Sequence, residues 1–121
     1  MESLGSLRRV IAVGQSVEVQ GGGTLYVTAI EVWDGGLILH AAEQLPEFLP
    51  PGEPIQTDRH LWLLSDDIGT RYMPRGGSSS GNQSQRRSTH EWRTAVPPEA
   101  TKLEIVGPGM RDDEPISVPL I

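Results

Sequence analysis

Short apolar runs bounded by turn-forming residues dominate this sequence. The runs are rich in Val, Ile, Leu and Trp, and nearly every one is bounded by Gly, Pro, Asp or Ser. Such runs are typical of β-strands rather than of amphipathic helices. They predict strands over residues 8–13, 16–20, 25–33, 37–42, 60–65, 70–73, 88–96, 102–106 and 116–120. Many short strands at close spacing favour a β-sandwich or a small barrel.

The apolar pattern also indicates how individual strands are built. Leu103 and Ile105 alternate with Lys102 and Glu104, which predicts a strand with one buried and one wet face. The run over residues 25–32 begins with apolar residues at odd positions and ends with apolar residues at even positions. A β-bulge accounts for such a change of phase, and we expect one in this strand.

Turn residues predict how some of the strands are joined. Asp34-Gly35 lies between two apolar runs, which is a strong signal for a hairpin. Residues 65–70 predict a second, slightly longer hairpin, in which Gly69 can adopt a positive φ. The sequence offers no convincing helix.

Length and composition limit the class of protein. The 121 residues have the length of one domain, and we predict a single domain over residues 1–121. There is no cysteine, which excludes disulfide frameworks, thiolate metal sites and cysteine nucleophiles. No apolar run reaches the roughly 18 to 20 residues of a membrane span, and the first residues lack the order of a signal peptide. With a net charge of -6, we expect an acidic, soluble, cytoplasmic protein without a membrane span.

The order of these segments resembles a known group of domains. The segments at residues 27–39, 64–72 and 92–105, with a Gly/Ser-rich stretch before the last, resemble the immunoglobulin-like β-sandwich domains of bacterial surface and regulatory proteins. The most specific part is the Asp66 to Tyr72 segment, which is similar to the D-x-x-G-x-x-Y hairpin of those domains. The resemblance implies an all-β, immunoglobulin-like sandwich of two antiparallel sheets with about seven to nine short strands. It also implies a binding role, although a fold by itself does not define a function.

A Pro-rich loop over residues 45–59 interrupts the strand pattern. It contains Phe48, the single phenylalanine, next to Leu49. Two roles are open for these side chains. They can fold back and plug an open end of the sandwich, which stabilises the fold by roughly 1.5 to 3 kcal/mol for each side chain. They can instead form a preorganised apolar contact for a protein partner.

A second loop is predicted over residues 74–87, which are rich in Gly, Ser and Arg. We expect it to be flexible, because it offers no side chain to a core. From Arg71 to Arg93 the net charge is +4, so the rest of the chain carries -10. Arg75, Arg86 and Arg87 are therefore candidate contacts for an acidic partner or for a phosphate group, or they pair with the acidic surface of their own chain. No aromatic residues alternate with these arginines, and we expect no nucleic-acid binding.

Residues able to support metal or ligand chemistry are few. His40, His60 and His90 show no metal-ligand spacing, and we predict no metal site and no cofactor. The acidic runs at residues 66–67 and 112–114 lack the alternating pattern of a calcium loop. Trp33 and Trp92 can form a sugar-stacking surface if both are exposed. No nucleophile or acid–base pair stands out, which argues against an enzyme.

The preferred interpretation is a non-catalytic protein-interaction or assembly module. Its predicted contacts are Phe48, Leu49, Arg75, Arg86 and Arg87, and the partner is another protein or a second copy of the chain. The alternative is a carbohydrate- or calcium-dependent ligand-binding sandwich that uses Trp33 and Trp92.

Overall fold

The computed structural model describes residues 4–19, 22–44, 62–81 and 85–120. Within these ranges the chain forms strands and no helix. The strands are β1 (Leu7–Glu18), β2 (Thr24–Trp33), β3 (Gly36–Gln44), β4 (Leu63–Asp66), β5 (Pro74–Gly81), β6 (Gln85–Trp92), β7 (Lys102–Val106) and β8 (Ile116–Pro119).

The strands form two antiparallel sheets. The larger sheet has the order β1-β2-β3-β6-β5, and the smaller sheet has the order β4-β7-β8. Every pairing between neighbouring strands is antiparallel. The structure confirms the predicted all-β sandwich of two sheets.

One hydrophobic core joins the two sheets. Leu39 of the larger sheet and Ile105 of the smaller sheet belong to the same buried cluster, and neither has measurable exposure. Trp62 packs into this cluster just before β4. The other buried members are Leu25, Val27, Ile30, Val32, Leu37, Ala41, Tyr72, Trp92, Leu103, Ile116 and Val118.

Where apolar residues alternate with polar ones, the predicted strands are present. β2, β3 and β8 agree with the prediction to within two residues at each end, and β7 agrees fully. The predicted bulge in β2 is also confirmed, because the pairing with β3 shifts register between Val27 and Ala29. Asp34 and Gly35 form the turn between β2 and β3, as expected.

Three predictions about the elements are wrong. The strands predicted over residues 8–13 and 16–20 are not separate, because residues 8–13 and 16–18 belong to one strand, β1, whose pairing is interrupted by register shifts rather than by a turn. Residues 70–73 form no strand. Residues 65–70 form no hairpin, because β4 pairs with β7 while the next strand, β5, belongs to the other sheet.

The segment predicted as a Gly/Ser/Arg-rich loop is mostly strand. Residues 74–81 form β5, and β6 begins at Gln85. Apolar alternation could not reveal β5, because this strand carries no large apolar side chain. β5 is held extended by its pairing with β6. The buried residues of β6 anchor that strand in the sheet.

Candidate binding surfaces

β5 is an edge strand composed mainly of glycine and serine. Among the described strands it pairs with β6 alone, and all of its residues are exposed. At Gly76 the register shifts and φ is 141°, a conformation that residues with a side chain rarely adopt. At Gly77 a Cβ atom would overlap the carbonyl oxygen of Thr89. The two glycines therefore allow β5 to lie close against β6.

The other sheet edges in the described ranges are short, irregular or covered. β4 has four residues, and the pairing of β1 contains two register shifts. The carbonyl oxygen of Ser117 in β8 accepts a hydrogen bond from Gln15 Nε2 at 3.4 Å, and that of Leu120, just after β8, accepts one from Arg9 at 2.7 Å. Short strands, bulges and covering groups protect an edge against pairing with another chain. Among the described residues, none gives β5 such protection from Gly77 to Gly81.

The outer face of the five-stranded sheet contains an open hollow of about 780 Å³. Its floor consists of small residues that include Ala42 of β3 and Ser78 and Ser80 of β5. Larger side chains line the same hollow: Tyr26, His40, Gln85 and Arg87. The hollow lies beside the free edge of the sheet, and because the serines of β5 are small, no bulky side chain separates the two.

Hydrogen bonds orient the side chains on the β2 and β3 side of this hollow. The Tyr26 hydroxyl donates to Gln44 Oε1 at 3.2 Å. Glu31 accepts from Trp33 Nε1 at 3.0 Å through one oxygen, and its other oxygen lies 2.5 Å from His40 Nε2. These polar groups hold one another in place.

The three arginines predicted as partner contacts lie on the β5–β6 hairpin. Arg75 Nε lies 3.1 Å from Glu91 Oε2. Arg86 is opposite Glu43 in the pairing of β6 with β3. Arg87 points to the outer face and is exposed, and it takes part in no ion pair among the described residues. The structure thus places the three arginines on one hairpin, but Arg86 and Arg87 are successive strand residues and point to opposite faces, so of these two only Arg87 faces the outer hollow.

A smaller hollow of about 290 Å³ lies on the inner side of β5 and β6. Trp62 and His90 both line it, and their ring centroids are 4.9 Å apart. Burial lowers the pKa of His90 to about 4, and Nε2 of this ring lies 2.9 Å from Ser88 Oγ. His90 is therefore a neutral ring at neutral pH.

Trp33 and Trp92 do not form the sugar-stacking surface of the alternative interpretation. Trp92 is 3% exposed and belongs to the core, whereas Trp33 is half-buried on the outer face. In a strand successive side chains point to opposite faces, and the register places these two residues on different faces of one sheet. The condition for a shared stacking surface, exposure of both tryptophans, is therefore not met.

The acidic pair Asp66-Asp67 supports the connection that leaves β4. Burial by itself would raise the pKa of Asp66, but hydrogen bonds from Thr70, Tyr72 and Ile68 outweigh it and lower the pKa. Oδ1 accepts from the backbone N–H groups of Ile68 and Thr70, both at 3.0 Å, and Oδ2 accepts from the Tyr72 hydroxyl at 2.9 Å. The carboxylate of Asp66 is thus engaged by its own chain.

Asp67 ties the same connection to the start of β7. Its carboxylate accepts from the hydroxyl of Thr101 at 2.5 Å, from the N–H of Thr101 at 2.9 Å and from the N–H of Lys102 at 3.4 Å. The hydrogen bonds from Thr101 lower the pKa of Asp67 to about 2. Both acids therefore have structural partners, which favours turn formation over the calcium alternative.

The remaining predicted residues are separated or lie outside the described residues. Phe48, Leu49 and His60 lie outside the described residues. His40 lies on the outer face and His90 on the inner side of the same sheet. No three His, Asp or Glu side chains in the described ranges are grouped to hold a metal ion.

Sequence reasoning missed Tyr26 and His40 on the outer face. A signal for both residues was available. Tyr26 alternates with the buried Leu25 and Val27, and His40 lies between the buried Leu39 and Ala41. Period-two alternation therefore places each of them on the outer face. The free edge of β5 had no comparable signal.

No helix long and apolar enough to cross a membrane occurs in the ranges that the structure describes.

Comparison with known proteins adds no relative on which a function could be based. The chain matches no family model, no curated protein and no solved structure.

Proposed function

We propose that this protein is a non-catalytic protein-interaction or assembly module, and that its partner adds an extended strand to the free edge of β5. The observation that carries the proposal is the contrast between β5 and the other described edges. An exposed edge strand presents unpaired backbone N–H and C=O groups, and proteins use such edges to bind extended segments of a partner.

The composition of β5 fits this mode of binding. Eight residues span roughly 26 Å at the rise of a β-strand. From Gly76 to Gly81 the strand has no charged and no bulky side chain, so another backbone can approach from the open side. Affinity then comes from main-chain hydrogen bonds, and specificity comes from side chains on the neighbouring strand.

A capture experiment with matched variants tests this proposal. The tagged chain is used to retain partners from a lysate of its source, and the retained proteins are quantified by mass spectrometry. Ser79→Lys places a charge on β5, which is one way that natural proteins protect an edge. Ser65→Lys makes the same change on the exposed surface of β4 and is the control.

We expect a stoichiometric protein partner that Ser65→Lys retains and Ser79→Lys loses. Equal retention by both variants would show that β5 is not the contact. A folded chain that retains no protein would contradict the interaction module. Phe48→Ala is run alongside, because Phe48 and Leu49 remain proposed contacts from the sequence; loss with Phe48→Ala alone would place the contact in residues 45–59.

Carbohydrate binding is a second candidate, favoured by the outer hollow with Tyr26 and Arg87 beside it. Tyrosine offers an apolar ring with a polar end, which suits a sugar ring. This candidate is tested by adding oligosaccharides and measuring the tryptophan fluorescence. Trp33 can report binding, because it donates a hydrogen bond to Glu31, which contacts His40 at the hollow. The cytoplasmic location and the absence of nucleic-acid binding stay predictions.

We also propose the immunoglobulin-like relationship on the basis of the strand layout. An immunoglobulin domain has its strands A, B, E and D in one sheet and C, F and G in the other. If β3 is left out, the two sheets here have the orders β1-β2-β6-β5 and β4-β7-β8. Lettering the seven remaining strands A to G in chain order turns these into A-B-E-D and C-F-G, which is the immunoglobulin layout. β3 is the departure, because its insertion between β2 and β6 makes those two strands run in the same direction.

A further inference from the structure

We infer that the partner segment that docks on β5 is acidic, and that Arg87 binds a carboxylate of this segment across Ser80. The inference rests on the proposed function and names the chemistry of its partner. It follows from a row of residues across the outer face of the sheet, from the charges around that row and from the charge distribution of the chain.

The row places Arg87 one strand away from the free edge. The pairings align Tyr26, Ala42, Arg87 and Ser80 on neighbouring strands, in that order. Neighbouring strands lie roughly 4.8 Å apart, so an added strand would place its own residue about 10 Å from Arg87 in the same row. An extended arginine and an extended glutamate together cover this distance. Ser80, between them, is too small to block it.

In the ranges that the structure describes, two acids of the same face near Arg87 are already engaged. Glu91 pairs with Arg75, and Glu31 pairs with His40. Arg87 has small neighbours on both sides in its row, Ala42 and Ser80, and no acidic partner among the described residues. A guanidinium group binds a carboxylate through a planar pair of donors, which makes an acidic side chain its preferred partner.

The charge of the whole segment favours the same kind of partner. Residues 71–93 carry a net charge of +4, whereas the chain carries -6. An acidic segment is therefore attracted to the β5–β6 hairpin. A second copy of the chain paired through β5 would instead bring two basic hairpins together. The charges thus favour an acidic partner over self-pairing.

A peptide titration tests the inference directly. The probe is a fluorescein-labelled octapeptide of alternating Thr and Glu with blocked ends, and its binding is followed by fluorescence anisotropy. A matched peptide has Gln in place of each Glu. Arg87→Gln removes the proposed contact, and Arg87→Lys keeps the charge without the planar pair. Arg111→Gln makes the same change of net charge at an exposed arginine far from β5 in the chain.

We expect the Glu peptide to bind about five-fold more tightly than the Gln peptide, and salt to reduce the difference. Arg87→Gln is expected to abolish the difference, Arg87→Lys to retain part of it and Arg111→Gln to retain it. Circular dichroism of each variant confirms that the strands are present.

Three results would overturn the inference. Equal affinity for the Glu and Gln peptides, with both lost in Ser79→Lys, would support the strand edge and reject the acidic partner. No binding of either peptide up to about 1 mM would also reject it, while the capture experiment decides the proposed function separately. A dimer in light scattering that Ser79→Lys dissociates would show that a second copy occupies β5.

Discussion

Two buried or half-buried side chains, Tyr72 and His90, show how single residues stabilise this sandwich. Tyr72 is 7% exposed and donates its hydroxyl to Asp66 at 2.9 Å. Burial, followed by the hydrogen bond to Asp66, raises the pKa of Tyr72 well above its usual value, so the hydroxyl keeps its proton. The side chain thus contributes both apolar burial and a hydrogen bond to a charged acceptor.

Removing this hydroxyl tests the contribution of the hydrogen bond. Tyr72→Phe is expected to lower the free energy of unfolding by about 1.5 to 3 kcal/mol, because a hydrogen bond to a charged group is lost while the ring stays in place. Tyr26→Phe is the control, since its hydroxyl bonds to Gln44 on the exposed outer face, and we expect a change within about 0.5 kcal/mol. Urea denaturation measures both values. Equal losses in the two variants would contradict the role assigned to Asp66.

His90 predicts how stability depends on pH. Burial lowers its pKa to about 4 in the folded protein from the ordinary histidine value of 6.5, so the unfolded chain binds the proton more readily. The stability is fully present above pH 6.5 and is lost as the pH falls towards 4. His90→Gln is expected to flatten this part of the profile. Urea denaturation across the range measures it, and an unchanged slope in the variant would exclude His90 as the cause.

At the scale of the element, β5 forms without hydrophobic alternation because its backbone is shaped to fit β6. The close approach at Gly77 and the positive φ at Gly76 are conditions that side chains cannot meet. Predicting β2, β3, β7 and β8 was possible because their buried residues repeat with period two. For β5 the same rule had nothing to detect.

The fit of β5 can be tested by adding one methyl group. Gly77→Ala is expected to weaken the pairing of β5 with β6 and to cost about 1 to 3 kcal/mol, because the new Cβ overlaps the carbonyl of Thr89. Ser79→Ala alters the same strand at a position that already has a Cβ and is the control. Hydrogen exchange of the β5 and β6 amides is the measurement. Slow exchange in Gly77→Ala, as in the unchanged chain, would show that β5 tolerates the methyl group.

At the scale of the whole molecule, the shared core makes the two sheets depend on one another. Residues of β2 and β3 pack with residues of β7 and β8 in one cluster. Neither sheet can keep its inner face covered if the other is lost. We therefore expect the two sheets to unfold in a single transition.

A pair of isoleucines tests this dependence. Ile105→Ala is expected to lower the free energy of unfolding by about 2 to 5 kcal/mol, because Ile105 is fully buried between the sheets. Ile68→Ala makes the same change at a side chain that is 48% exposed, and we expect a much smaller loss. Tryptophan fluorescence and far-ultraviolet circular dichroism follow the unfolding. Two separate transitions would contradict the shared core.

The sequence by itself determined the all-β class, the bulge in β2, the turn at Asp34-Gly35 and the buried face of β7. These features depend on local alternation and on turn chemistry, which neighbouring residues carry. Only the tertiary structure decided that the Gly/Ser-rich segment is an edge strand and that Trp92 is buried. It also decided that Arg87 lies one strand from a free edge. Strand order and edge exposure depend on contacts between residues far apart in the chain, and no local pattern encodes those contacts.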